Sequence, residues 1–451
     1  MKPPLTPPRL EEILKSLSQE SLQQAVLSAK NPLVQGRYLH WDELRHRTPP
    51  EGMNHAAWWL SIKLARQGQI RLLPLCDKYA RPIGFSMPEP LLLALGRLEG
   101  GRALDGGYAE RPLTRVGGDA HLVSSLLDES ISSSQLEGAS TTRTVAEAML
   151  REGRDPFDAS ERMIFNNYRA MQWVRSMKDQ ALTPEAVLEL HRVISERTLE
   201  NPADAGRLRL PDDIRVRDNR DGMVLHEPPR ADTLPERLVQ LCAFANGERP
   251  DHALVPPIVR AILLHFMLGY DHPFVDGNGR TARALFYWCM LRHGYVLMEY
   301  ISISHLIKRS PAQYSRAFLL TETDENDATY FLLHQLEVIE KSVEFLNEKL
   351  ARKHSEQKET ERILRNTRTL RGQLNPRQMA LLTHALKHPG FDYEIDEYRR
   401  SHNVVYATAR SDLLGLAALG LLEQTKRGRA FVFIAPDDLR QRIESAHTVK
   451  G

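Results

Sequence analysis

Along most of this chain the apolar positions recur at intervals of three and four, the spacing of one helical face. Arg9 to Ala29 reads as a helix, and so does Met53 to Gln67, with Trp58, Ile62 and Ala65 on one side. A strong helical stretch runs from Asp119 to about Gln135. The same spacing continues through Glu147–Met177 and Thr183–Thr198, where packing roles alone are expected, and through Pro235–Ala245. Pro257 to Tyr270 (Ile258, Ile262, His265, Phe266) and the run from Thr281 (Leu285, Trp288, Cys289) predict two further helices with a short turn between them. Ile301–Leu319 and Asp327–Leu350 follow. In the last, Leu332, Leu336, Ile339, Val343, Leu346 and Leu350 form a seam open to a homodimer coiled coil or to an internal packing face.

Two regions depart from this period. Between Gly206 and Pro229, Arg207-Leu-Arg-Leu and Ile214-Arg-Val-Arg alternate apolar with charged residues, and Asp221-Gly222 is a hairpin turn signal before Met223, Val224, Leu225 and His226. From Leu374 the pattern resets. Asn375-Pro376 opens a helix by capping logic, helices follow over about 392–401 and 405–419, and a two-stranded ribbon turns at Gly428. Three helices and a ribbon resemble a winged helix-turn-helix. The start of its third helix offers Val405, Tyr406 and Ala407, with basic residues at Arg410, Lys426, Arg427 and Arg429. Eleven Lys and Arg against nine Asp and Glu beyond Leu374 leave DNA binding and a protein-interaction or dimerisation role both open.

Composition narrows the class. At 451 residues and 42% hydrophobic, the chain has material for more than one core. Sixty Lys and Arg balance 58 Asp and Glu, so net charge calls for neither nucleic acid nor membrane. Cys76, Cys242 and Cys289 lack metal-ligand spacing, and the last two fall in apolar helical runs as buried thiols. No apolar run reaches membrane-spanning length and the N-terminus has no signal-like core. A soluble, cytoplasmic protein with no membrane partner is expected.

The chemistry is concentrated in His272-Pro-Phe-Val-Asp276-Gly277-Asn278-Gly279-Arg280-Thr-Ala-Arg283. A glycine-rich turn opening a helix presents backbone N–H groups to an anion, and Arg280 and Arg283 add guanidinium charge. An imidazole with an ordinary pKa of about 6.5 suits His272 to general-base work. A carboxylate beside a phosphate cradle suits Asp276 to a hard cation such as Mg2+. Together they suggest transfer of a phosphorus-centred group from a nucleotide to a nucleophile.

This stretch resembles the signature of the Fic family, His-x-Phe-x-(Asp/Glu)-Gly-Asn-Gly-Arg-x-x-Arg, at every specified position. Ser133-x-x-x-Glu137-Gly138 is similar to the inhibitory motif of that family, whose helix covers the nucleotide site. The resemblance implies a mainly α fold: an all-helical core with a small β-hairpin flap, followed by the winged helix-turn-helix domain. Its parts would be a helical accessory region over 1–100, a core over 101–350 that begins with a Gly101–Gly118 linker, a charged connector over 351–373, and a C-terminal domain over 374–451. It also implies an enzyme that transfers AMP from ATP to a Ser, Thr or Tyr hydroxyl of a target protein or of itself. In that reading His272 is the base and Asp276 holds Mg2+. Gly277, Asn278 and Gly279 cradle the phosphates, with a side-chain donor from Asn278 near the α-phosphate. Arg280 neutralises the α/β region, and Arg283 binds the γ-phosphate unless Glu137 occupies it. The flap residues Met223 to His226 would dock an extended target segment. Another nucleotide donor, AMP removal by the same site, or a DNA-binding regulator that uses the fold as a nucleotide sensor are the alternatives.

Overall fold

The structure is a computed structural model that describes residues 2–103, 118–218, 220–249, 254–366, 374–402, 404–427 and 430–445. The linker expected over Gly101–Gly118 lies largely outside these residues, as do the end of the connector (367–373) and the ribbon turn at Gly428 and Arg429. The chain is mainly helical and divides into two compact units, 1–346 and 347–451.

The first unit begins with α1 (Leu10–Ser16), α2 (Gln19–Leu27), α3 (Trp41–Leu44) and α4 (His55–Gln67). One helix is expected over 9–29, but the structure has two. Ser18 takes an extended backbone and its side chain accepts from Ser21 N, so it caps a new helix instead of continuing the old one. Next comes an antiparallel hairpin that periodicity did not predict, β1 (Arg71–Cys76) with β2 (Pro82–Phe85). Residues 1–100 are built into the same compact unit as the rest of 1–346. Tyr38 donates to Asp327 Oδ2 at 2.6 Å, Lys63 Nζ meets Asp324 at 2.8 Å, and buried Arg66 donates to Tyr330 and to the Leu39 carbonyl.

Then follow α5 (Glu89–Ala103), α6 (Gly118–Leu136), α7 (Arg143–Glu152), α8 (Ala159–Ser176) and α9 (Pro184–Ser195). A short antiparallel pair comes next, β3 (Val216–Arg217) with β4 (Val224–His226). After it lie α10 (Leu234–Asn246), α11 (Pro257–Asp271), α12 (Asn278–Arg292), α13 (Ile303–Arg309) and α14 (Pro311–Thr323). The run expected over 301–319 breaks at Ser310-Pro311, because proline lacks the N–H to continue α13 but fits the first position of α14.

The centre of this unit is α11 packed on α12. Ile258, Ile262, Leu263, Leu264, Phe266 and Leu268 are fully buried, as are Leu285 and Cys289 opposite them. Each such leucine or isoleucine contributes on the order of 2 kcal/mol. Two helices this thoroughly buried make a rigid seat for the turn that joins them.

The last helix of the region, α15 (Thr329–Asn366), runs on past the expected end at Leu350 through much of the connector. The second unit holds α16 (Pro376–Ala385), β5 (Asp392–Glu394), α17 (Ile395–Ser401), α18 (Tyr406–Ala418), β6 (Glu423–Arg427), β7 (Ala430–Ile434) and α19 (Leu439–Ser445), and all of them but β6 contribute to one core that includes Leu382, Leu413, Leu416 and Phe433. The helix expected from Asp392 gives its first three residues to a third strand, in the order β5-β7-β6. Asp412 ties the helices together: it accepts from Asn375, Arg377 and Tyr398. No helix among the described residues is long and apolar enough to cross a membrane.

Candidate active site

The turn between α11 and α12 starts with strain. His272 closes α11 in the left-handed region at φ 45°, where a side chain is disfavoured, and Gly277 opens α12 at φ 83°. No side chain caps α12, so the positive end of its dipole is left without a side-chain acceptor, and Gly279 of its first turn lines the same cavity as His272. Buried Arg280 contacts the Ile194 carbonyl at 3.4 Å and Asp276 at 3.5 Å, and its Nε has no hydrogen-bond partner. An uncapped helix start beside an underused buried guanidinium is a site suited to a polyanion.

His272 lines a cavity of about 370 Å³ together with Glu137, Gly279, Arg283, Leu225, His226, Tyr314, Phe318 and Glu322. The surrounding burial holds its pKa at about 4, with nearby His226 and Arg209 adding to the depression. Nδ1 points at the Gly269 carbonyl at 3.3 Å, which makes it the protonated nitrogen and leaves Nε2 as the acceptor. The ring is therefore neutral at physiological pH and able to take a proton, although it is a weaker base than an unperturbed imidazole.

Ser133 of α6 and Glu137 just beyond its end close on Arg283. Arg283 Nε donates to Ser133 Oγ at 2.9 Å, and Nη2 donates to the Ser133 carbonyl at 3.0 Å and to Glu137 Oε1 at 2.8 Å. Burial alone would raise the Glu137 carboxyl pKa, but Arg283, Arg280 and His272 outweigh it and hold the group below its ordinary value. Gly138, at φ 100°, ends the helix one residue later. A Cβ at Gly279 would overlap Glu137 Oε1, so a side chain there would displace the carboxylate from its place against Arg283.

The remaining expected site residues fall into different places. Asp276 is exposed, with Oδ1 accepting from Gly277 N at 2.6 Å. The side-chain donor expected from Asn278 is spent: Nδ2 donates to the Phe274 carbonyl and Oδ1 accepts from Phe274 N. Asn278 is buried and clasps the turn, leaving the N–H groups as the anion donors. Of the hairpin residues, Leu225 and His226 line the cavity, Val224 faces solvent, and Met223 lies in the turn with its N–H on Asp221. His226 is an anchor and not a free docking group, since its ring nitrogens contact Glu322 and the Tyr270 carbonyl, each at 2.7 Å.

Several neighbours of the site escaped the sequence. In the expected alternation of Arg207 to Leu210 the polarity is reversed: Arg209 is buried and Leu210 is 89% exposed. Arg209 turns inward because its guanidinium finds the carbonyls of His272, Pro211 and Pro229. His191 of α9, expected only to pack, reaches the Asp276 carbonyl at 2.9 Å. Residues 1–100, where no chemistry is expected, touch the site edge: Lys78 N donates to Tyr270 Oη and Lys78 Nζ to the Glu227 carbonyl. Nothing in a single sequence marks these contacts, apart from the oddity of a histidine on an otherwise apolar helical face.

Residues 181–290 match the model of the Fic/DOC family. Over 160 residues the chain is 30% identical to protein adenylyltransferase Fic of Nematostella vectensis, covering 35% of this chain and 34% of that protein. Over 122 residues it is 33% identical to protein adenylyltransferase fic-1 of Caenorhabditis elegans, covering 27% of this chain and 21% of that one. The chain thus spans about a third or less of these curated relatives. In fold it is similar to a Fic family protein from Desulfovibrio desulfuricans G20, with a TM-score of 0.54 at 17% identity, covering 78% of this chain and 98% of that one.

Proposed function

We propose that the chain is a protein adenylyltransferase that moves AMP from ATP to a Ser, Thr or Tyr hydroxyl of a target protein or of itself, and that Glu137 restrains it by occupying Arg283. The observation that carries this reading is the grip of Ser133 and Glu137 on Arg283 inside the cavity that His272 lines. An arginine whose charge is already matched is a poor clamp for the terminal phosphate, and the carboxylate repels that phosphate.

In the released state, Nε2 of His272 accepts the hydroxyl proton while the hydroxyl oxygen attacks the α-phosphorus in line. The bond from that phosphorus to the bridging oxygen of the β-phosphate breaks, and pyrophosphate leaves. The start of α12 and Arg280 stabilise charge on the phosphoryl oxygens, which is the main catalytic contribution in transfers of this kind. Asp276 fits a shared metal. Its carboxylate is exposed at the turn, and among the described residues no group of three His, Cys, Asp or Glu could hold a metal alone. Mg2+ bound by one carboxylate and by substrate phosphates matches that donor set and would neutralise phosphate charge. The β3–β4 edge, several of whose residues line the cavity with His272, would hold an extended target segment. We read the second unit as a winged helix whose basic side chains are too few to dominate its surface.

The test is to incubate the full chain, its Glu137→Gly form and its His272→Ala form with α-labelled ATP, Mg2+ and cell lysate. Label on protein that rises in Glu137→Gly and is lost in His272→Ala supports the reading. No label from either form with an intact His272 would sink it. Parallel reactions with labelled UTP and GTP separate the adenine donor from its alternatives.

A further inference from the structure

We propose that His191 and Arg209 are positioning residues that hold the 272–277 turn from behind so that its front receives the phosphates; this rests on the adenylyltransferase reading. Five carbonyls of the turn are captured by its surroundings. Arg209 Nε donates to His272 O at 2.9 Å, and Arg209 N to Pro273 O at 2.9 Å. Asn278 Nδ2 takes Phe274 O at 2.8 Å, His191 takes Asp276 O at 2.9 Å, and Thr281 takes Gly277 O through both N and Oγ1. Asn278 and Thr281 belong to the signature stretch. His191 and Arg209 lie outside it, on α9 and on the segment that leads to the hairpin.

The ring of His191 is set for this task. It is fully buried and stacks on Phe274 with centroids 3.7 Å apart and planes 3° from parallel. Nδ1 accepts from Gly206 N at 3.0 Å, so the proton sits on Nε2, which donates to Asp276 O. Because a peptide group is planar, fixing the Asp276 carbonyl also fixes the Gly277 N–H, which donates to the Asp276 carboxylate. The ring therefore aims the carboxylate assigned to Mg2+ without touching metal or substrate. Arg209 acts at the other end. His272 sits in a left-handed conformation that costs on the order of 1–3 kcal/mol and persists only where its surroundings enforce it. Arg209 holds the His272 carbonyl in that conformation while also donating to Pro211 O and Pro229 O on either side of the hairpin. One segment, 206–209, thus supplies the partner of His191 and the whole of Arg209. Gly206 has φ 74°, and an added Cβ would collide with Arg192 and the Leu188 carbonyl.

The experiment uses the full chain carrying Glu137→Gly as parent. His191→Phe keeps the stack on Phe274 and removes both hydrogen bonds. His191→Gln keeps a donor at the ε position. Arg209→Lys keeps the charge but cannot reach the three carbonyls together. With ATP and Mg2+, kcat and KM for protein labelling are measured together with the melting temperature. A positioning role gives His191→Phe and Arg209→Lys a kcat about 10- to 100-fold below the parent. KM for ATP rises by less than kcat falls, and His191→Gln returns most of the rate. Parental kcat in both His191→Phe and Arg209→Lys overturns the proposal. So does equal impairment of His191→Phe and His191→Gln in proportion to their loss of melting temperature, which would mark a purely structural role. If His191→Phe does not fold, Arg209→Lys against the parent decides by the same kcat criterion. If the parent labels no protein, the transferase reading fails, and calorimetric affinity for ATP with Mg2+ becomes the readout. There, about tenfold weaker binding in His191→Phe upholds the positioning role, and unchanged affinity overturns it.

Discussion

Arg283 is held through Nε by Ser133 and through Nη2 by Glu137, at 2.9 and 2.8 Å, although these residues lie about 150 positions apart in the chain. Two helices meet at one guanidinium. The grip on Arg283 is graded, because one partner is a hydroxyl and the other a carboxylate.

That grading predicts an order of effects. A hydrogen bond to a charged group contributes about 1.5–3 kcal/mol, so removing the Glu137 contact should raise the labelling rate about 10- to 100-fold. Glu137→Gln should release less than Glu137→Gly, and Ser133→Ala less than either. Initial rates with α-labelled ATP give the order, and Ser133→Ala exceeding Glu137→Gly would contradict it.

The neutral state of His272 predicts the pH profile. With its pKa held at about 4 by burial, the ring stays unprotonated down to mildly acid pH. In the Glu137→Gly form kcat/KM should be flat from pH 8 to pH 6. Loss of the Glu137 charge by itself lowers the His272 pKa further, so an upward shift of the inflection would come from solvent reaching the ring. An inflection near 6.5 would show that His272 is solvated when it acts.

The restraint itself should survive mild acid. The Glu137 carboxyl has a folded pKa below its unfolded value, so its pairing energy is fully present above about 4.3 and is lost as pH falls through the folded value. Comparing wild type with Glu137→Gly at pH 6 and pH 8 should give the same ratio of rates. A ratio approaching one at pH 6 would place the release on another group.

Stability should fall in acid before Glu137 is protonated. His40, His191 and His265 are buried, and burial lowers their pKa values to about 4, about 4 and about 3. Protons bind these rings in the unfolded chain below about 6.5 but not in the folded one, so folding weakens as pH drops from there toward 4. Melting temperatures at pH 7.5, 6 and 5 should decline in that order.

Glu129 should matter to the fold and not to the chemistry. Its buried carboxylate accepts from Tyr287 Oη, Ser302 Oγ, and Ser304 N and Oγ, joining α6 to α12 and α13. Glu129→Ala strands these donors and should cost about 3 kcal/mol or more, read as a lower urea midpoint. A midpoint equal to wild type would mean that water takes over those contacts.

The signature from His272 to Arg283 and the helices on either side of it were legible, because each depends on local spacing or on contiguous residues, whereas the pairing of Glu137 with Arg283 was implied only by the family resemblance. The breaks at Ser18 and at Ser310-Pro311 were less so, since an apolar period runs across them and only a side-chain cap at Ser18 and a proline at 311 stop the helices. Arg209 and Leu210 mark where pattern misleads. Alternation says that two neighbours face opposite ways without saying which is inside, and the carbonyls of Pro211, Pro229 and His272 draw the charged one in.

Residue order therefore carries the chemical inventory: a base, a carboxylate, an uncapped helix start and two guanidiniums within twelve positions. It does not carry their state. Burial sets His272 neutral, Phe274 takes the side chain of Asn278, and His191 and Arg209 turn the backbone of the loop. Those outcomes depend on desolvation and on hydrogen bonds between segments far apart in sequence, and only packing brings such partners within reach.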